Sequence, residues 1–238
     1  MNINRVLHSL KTLFVAPTCP VCGRRLEISD SFVCLSCNLS APYTHLWQSR
    51  DNDMEQRFWG IVPIERAAAF MWYVEGSAWR DIIHEFKYHN HWFLAQNMGY
   101  WFATELLRTN FLEGIDLIVP VPLHWRRRLT RGYNQTEYIA LGISRKTGIK
   151  YCFDAVKRTI NNPPQAGMEF INRWQHIENI FTTTHPERLK GKHILLVDDV
   201  FTSGATLTTL SQSIIKACDG DVKISVATLA ASRHLADK

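Results

Sequence analysis

Lys192 to Thr206 reads KHILLVDDVFTSGAT, and this stretch limits the chain to few architectures. Ile194 to Val197 are four apolar strand formers, too few for a helix of their own, and they lead into two adjacent carboxylates, Asp198 and Asp199. Val200 and Phe201 follow, then the small turn Thr202-Ser203-Gly204-Ala205-Thr206, then Leu207, Leu210, Ile214 and Ile215 at helical spacing. Strand, loop and helix N-terminus in that order predict an anion site. The first N–H groups of a helix have no partner within it, and the helix dipole adds partial positive charge. A glycine lets the backbone approach an anion closely, and the hydroxyls add donors. No GK[ST] follows and no GxGxxG occurs, which excludes a Walker loop and a dinucleotide fingerprint. Two carboxylates would repel a bare phosphate, so they are expected to hold another part of the same ligand. Vicinal sugar hydroxyls or a magnesium ion would fit. The competing reading is a buried strand whose acidic end caps a helix.

The stretch resembles the phosphoribosyl pyrophosphate (PRPP) signature of type I phosphoribosyltransferases, with Ser203 where Thr is commoner. That resemblance implies that Asp198 and Asp199 face the ribose hydroxyls. It also implies that Thr202, Ser203, Gly204, Ala205 and Thr206 hold the 5′-phosphate.

A second constellation lies near the N-terminus. Cys19-Pro-Val-Cys22 and Cys34-Leu-Ser-Cys37 are two CxxC knuckles, able to bring four thiolates together on structural zinc. The short polar sequence between them could not form a core, so metal would supply its folding energy. Disulfides and a redox CxxC are the alternatives. The first is disfavoured by a cytoplasmic reading and the second by the presence of two pairs. Cys152 and Cys218 read as small buried hydrophobes.

The 238 residues suit one α/β domain with a small extra module, and a 46% hydrophobic content is ample for a core. The net charge of +5 suits an anionic substrate or nucleic acid. No apolar run approaches a membrane span, so no membrane partner is expected and the chain reads as cytoplasmic. Residues 3–14 pattern as a short amphipathic helix, and residues 38–60 as a polar, irregular connector. The expected division is 1–60, holding the helix, zinc ribbon and connector, and 61–238, holding a mostly parallel sheet flanked by helices.

Within the larger part, Ile61 to Val74 read as a strand pair, and Ser77 caps a helix ending near Lys87. Trp92 to Leu107 read as an amphipathic helix whose aromatic stripe belongs to the core. Asp116 to Val121 form a buried strand, and the tight Pro120-Val121-Pro122 segment falls at its C-terminal end, where ligands bind in open α/β sheets. Arg126, Arg127, Arg128 and Arg131 then crowd a loop suited to clamping an anion, or simply solvated. Further elements are a helix over 136–146, strands over 151–156 and 222–229, a rigid polar loop including Lys157, Arg158 and Pro164 to Gly167, and a helix over 169–180.

The ordered set of CPVCG, CLSC, HEFKYH, VPVPLHWRRRLTRGYNQ, NPPQAGM and LLVDDVFTSGAT resembles the ComF family, the competence-associated phosphoribosyltransferase-like proteins that include the GntX-type proteins. The resemblance implies that Val119 to Leu123, with Val121 and Pro122, form a pyrophosphate loop. Arg126 to Gln135 would be a flexible lid, with Arg126 and Arg131 on the anion, and Lys87 would reach the pyrophosphate. It implies transfer of ribose 5-phosphate from magnesium-bound PRPP to a nitrogen acceptor. The alternative it carries is a non-catalytic accessory role in DNA uptake, with single-stranded DNA or DNA-uptake proteins as partners. Glutamine-dependent activity is not expected, because the chain starts Met1-Asn2 without a cysteine nucleophile.

Overall fold

A computed structural model describes residues 17–27, 32–160 and 180–235. The helix expected over 3–14, the Pro164 to Gly167 segment and, apart from Ile180 at its end, the helix expected over 169–180 lie outside the described residues.

Five strands form one sheet in the order β1-β7-β6-β2-β3, comprising β1 (Arg66–Tyr73), β2 (Leu117–Pro120), β3 (Lys150–Tyr151), β6 (His193–Phe201) and β7 (Lys223–Ser232). Every neighbouring pair is parallel. Parallel strands covered on both faces read as near-continuous apolar runs; Ile194 to Val197 is one, and Val226 to Ala231 is another broken only by the buried Thr228. The expected pair over 61–74 is a single strand, β1. Residues 57–62 make turns ahead of it, and its partner is the distant β7 rather than a hairpin neighbour. The strand expected over 151–156 is likewise two pieces. β3 ends at Tyr151, and β4 (Val156–Arg158) pairs antiparallel with β5 (Phe181–Thr183) in a separate small sheet, so Lys157 and Arg158 are strand residues.

Helix α1 (Leu35–Leu39) belongs to the cysteine module, and α2 (Asp53–Gln56) is capped by Asn52, whose side chain accepts from the N–H groups of Met54 and Glu55. Helix α3 (Ala78–Tyr88) begins as expected at Ser77, whose hydroxyl accepts from Arg80 N–H at 3.2 Å. Helices α4 (Trp92–Leu106) and α6 (Gln135–Thr147) pack on each other and against β2, β6 and β7. They approach so closely that a Cβ at Gly142 would lie 2.0 Å from the Gln96 carbonyl oxygen. Only hydrogen fits there.

Residues 38–60 are not a loose connector. Trp47, Met54 and Phe58 are almost completely buried, Trp47 packing on Phe70 and Phe102, and Phe58 on Phe201. Composition missed this because the segment's few apolar residues lack a helical or strand period.

Candidate functional site

The strand of the acidic pair runs on through both carboxylates to Phe201 rather than stopping at Val197. Side chains alternate along a strand, so Asp198 and Asp199 face different surroundings. Asp199 is buried and doubly held. Lys87 Nζ lies 3.0 Å from its Oδ1, and Gln135 Nε2 donates to its Oδ2 at 2.7 Å. Asp198 Oδ1 accepts the Asp199 backbone N–H at 2.8 Å. Burial, and then the neighbouring Asp199 carboxylate, push the Asp198 carboxyl up to about 7, against the opposing pull of that N–H, Lys87 and Arg158.

Beyond Phe201 the chain turns into α7 (Ala205–Ala217) through Gly204, which has φ +80° and no capping side chain. A Cβ on Gly204 would also meet the Phe201 ring at 2.9 Å, so both backbone conformation and space call for glycine. Thr202, Ser203 and Ala205 are exposed and Thr206 partly so, beside the open N-terminus of a thirteen-residue helix. The Ser203 hydroxyl accepts weakly from Ala205 N–H at 3.4 Å. The turn that was expected to cradle an anion therefore lies exposed at the uncapped N-terminus of α7.

At the end of the adjacent strand β2, Val121 N–H donates to Val197 O at 2.9 Å. The Val121 carbonyl accepts from Asn134 Nδ2 at 3.1 Å and Thr136 Oγ1 at 2.7 Å. Val121 and Pro122 are thereby fixed beside the acidic strand. The predicted lid is structured: Trp125–Arg131 form helix α5, with His124 as a buried N-cap and Gly132 closing its C-terminus. Helix α5 buries none of its residues. Arg131 donates to Gln135 Oε1 at 3.1 Å and lies 5.1 Å from the Tyr88 ring, whereas Arg126 lies over the exposed Trp125 ring at 5.2 Å.

Lys87, the acidic pair, the turn and Val121 thus converge at the C-terminal ends of the central strands, with Arg131 linked through Gln135. Gln135 itself was not singled out in the sequence. Its one signal is its place directly after the helix cap Asn134, which fixes its backbone but not its partner. Arg158, also unassigned, is partly buried, donates to Ile160 O and stacks on Phe181. A cleft of about 580 Å³ opens at the opposite ends of the strands, lined by Glu65, Asp116, His193 and Lys223 among others. Its charges are mixed, and none of the predicted site residues reaches it.

The four knuckle cysteines converge as predicted. One sulfur from each of Cys19, Cys22, Cys34 and Cys37 lies within 4.8 Å of the others. All four are free thiols, so disulfides are not formed. For Cys19, burial raises the thiol pKa, but N–H groups of Cys34, Cys22 and Val21 outweigh it and bring the thiol down to about 7. Cys37 is pushed far up, by burial and then by its crowded neighbours. Crowded sulfurs with N–H donors aimed at one of them suit a tetrahedral metal such as zinc. The module leans on the main core through Tyr43, whose hydroxyl donates to Asn38 and whose ring meets Trp101. Among the described residues no helix is long and apolar enough to cross a membrane.

No family model matches the chain. It is 28% identical over 201 residues to the "DNA utilization protein YhgH" of Escherichia coli K12, covering 83% of this chain and 84% of that protein. It is 30% identical over 139 residues to "Competence protein F" of Haemophilus influenzae, covering 57% and 61% of the two chains. A solved glutamine PRPP amidotransferase from B. subtilis superposes with a TM-score of 0.43 at 18% identity, over 62% of this chain and 30% of the enzyme.

Proposed function

We propose that this chain, a relative of the ComF-type competence proteins, binds magnesium PRPP and transfers its ribose 5-phosphate to a nitrogen acceptor. One observation carries the reading: a carboxylate pair with Asp199 buried and Asp198 partly so, an uncapped helix N-terminus behind a Gly204 turn, and a lysine meet at one end of a parallel sheet. The two ends of that arrangement match the two ends of a phosphorylated ribose. Asp198 and Asp199 accept from the ribose hydroxyls, and the 202–206 turn donates to the 5′-phosphate. In the reaction the acceptor nitrogen forms the new bond to ribose C1 as the C1–oxygen bond breaks, and the bonding pair leaves with pyrophosphate. Magnesium, arriving with PRPP, supplies charge neutralisation on that leaving group. Lys87 and Arg131 supply further positive charge, and the protein's main contribution is orientation. The cysteine cluster holds zinc as a structural ion.

Calorimetric titration of the zinc-loaded protein with magnesium PRPP tests this, alongside an Asp198→Asn/Asp199→Asn variant. Micromolar binding lost in the variant is the expected result. A folded wild type that does not bind would sink both transfer and PRPP recognition.

A second reading, a DNA-handling accessory role, is favoured by the exposed Trp125 and Leu129 on the arginine-rich α5. Aromatic rings beside arginines suit stacked bases and phosphates. Salt-dependent retention of single-stranded DNA, unaffected by Asp198→Asn, would support it. Absence of retention at low salt would count against it.

A further inference from the structure

Gln135 stands between the two charged halves of the site. It is the first residue of α6, and it is 5% exposed. Its amide is used at both ends, Oε1 accepting from Arg131 Nη1 at 3.1 Å and Nε2 donating to Asp199 Oδ2 at 2.7 Å. Only one orientation of the amide serves both, because the guanidinium can only donate and the ionised carboxylate can only accept. The backbone beneath is rigid, since Asn134 caps α6 and both Asn134 and Thr136 bond the Val121 carbonyl. Helix α5, in contrast, buries no residue. Its other side-chain ties include two exposed ones, the Arg128–Glu137 pair and the Arg131 contact with Tyr88.

We propose that Gln135 is the positioning residue that couples the arginine-bearing helix α5 to Asp199, so that the cationic and hydroxyl-binding halves of the site order together. The coupling is a property of the ligand-free protein. Its use in catalysis rests on the reading of Asp199 as a ligand-facing carboxylate. A ligand that engages Asp199 meets a carboxylate already aligned, with Arg131 one hydrogen bond behind it. A second route exists, from Asp199 through Lys87 to Tyr88 and Arg131, and the test separates the two.

The test is hydrogen exchange of the 125–131 amides in the full-length, ligand-free protein, with β7 amides reporting whether the sheet is intact. Gln135→Glu keeps the acceptor toward Arg131 but sets two carboxylates face to face. Asp199→Asn leaves the amide unable to satisfy both neighbours at once. Each alone is expected to speed exchange in α5 about fivefold, the factor for one net hydrogen bond. The two together reverse the polarity of the bond and are expected to restore exchange to within about twofold of wild type. A double variant as fast as either single would overturn the coupling, because a merely structural role or the Lys87 route predicts no rescue. Should a variant disturb β7, Arg131→Met serves instead. It is expected to loosen α5 equally, with Gln135→Met adding nothing on top of it; additive effects would overturn the proposal. Titration of the same samples with magnesium PRPP is read separately. Rescue in the double variant, alongside a wild type that binds no PRPP, would sink the ligand reading and leave the coupling standing.

Discussion

Asp198→Asn is expected to stabilise this protein at pH 8 while abolishing PRPP binding. The Asp198 carboxyl is partly buried beside Asp199, and its ionisation is moved from the ordinary 3.8 to about 7. The folded protein therefore holds a proton there that the unfolded chain releases near pH 4. Stability from that proton is fully present below about pH 4, falls as pH rises between about 4 and 7, and is gone above. Each tenfold change in proton affinity is worth about 1.4 kcal/mol, which gives a ceiling of about 4 kcal/mol. The two adjacent carboxylates share the titration, so about half of that, roughly 2 kcal/mol, is expected from one substitution. For a chain of this length the corresponding rise in Tm is about 4–8 °C. The assay is thermal unfolding of zinc-saturated wild type and variant from pH 4 to pH 8. The Tm difference should be near zero at pH 4 and grow through pH 7. A difference that does not vary with pH, or a variant less stable at pH 8, would refute the argument. Asp199→Asn should act in the opposite sense at pH 8, because it leaves Lys87 without a carboxylate and a single amide oxygen cannot serve both Lys87 and Gln135.

Lys87→Met should weaken magnesium PRPP binding at least about tenfold in calorimetry, since it removes a charge-assisted contact at the acidic pair; unchanged affinity would remove Lys87 from the site. Cys37→Ser should reduce bound zinc, assayed by release to a colorimetric chelator, from about one per chain to near zero. Zinc that stays bound would place the metal elsewhere. Gly142→Ala should cost about 3 kcal/mol and lower Tm by roughly 6–12 °C, because its Cβ would meet main-chain atoms of α4 that cannot step aside. A stable variant would mean that α4 and α6 can separate.

What could be read ahead of the structure was local. The apolar run at Ile194, the hydroxyl turn after Phe201 and the helical spacing of Leu207 to Ile215 lie within a few residues of one another. Each follows from periodicity and capping. The cysteine cluster was legible for the same reason, since each CxxC is a self-contained turn, and only convergence across the eleven residues between them was left to geometry. Errors came where distant residues decide. Residues 61–74 have strand composition, but nothing in them says that β1 pairs in parallel with β7, more than 150 positions away. The 38–60 segment looks polar because Trp47, Met54 and Phe58 are scattered, yet they fill space left by Phe70, Phe102 and Phe201.

The same division explains why Gln135 was passed over. In the sequence it is one polar residue in a basic stretch, and its partner is 64 positions away. Composition shows the positive charge of Arg126 to Arg131 and the negative charge of Asp198 and Asp199, and suggests that they attract. It cannot show that the cation paired with Asp199 is Lys87 from α3, or that an uncharged amide stands between Asp199 and Arg131. That arrangement has a chemical consequence. Asp199, held by an ammonium and an amide, is ready to accept from a hydroxyl. Asp198, with burial favouring its proton near neutral pH, can both accept and donate. A diol, each of whose hydroxyls does both, suits such a pair better than it would suit two bare carboxylates.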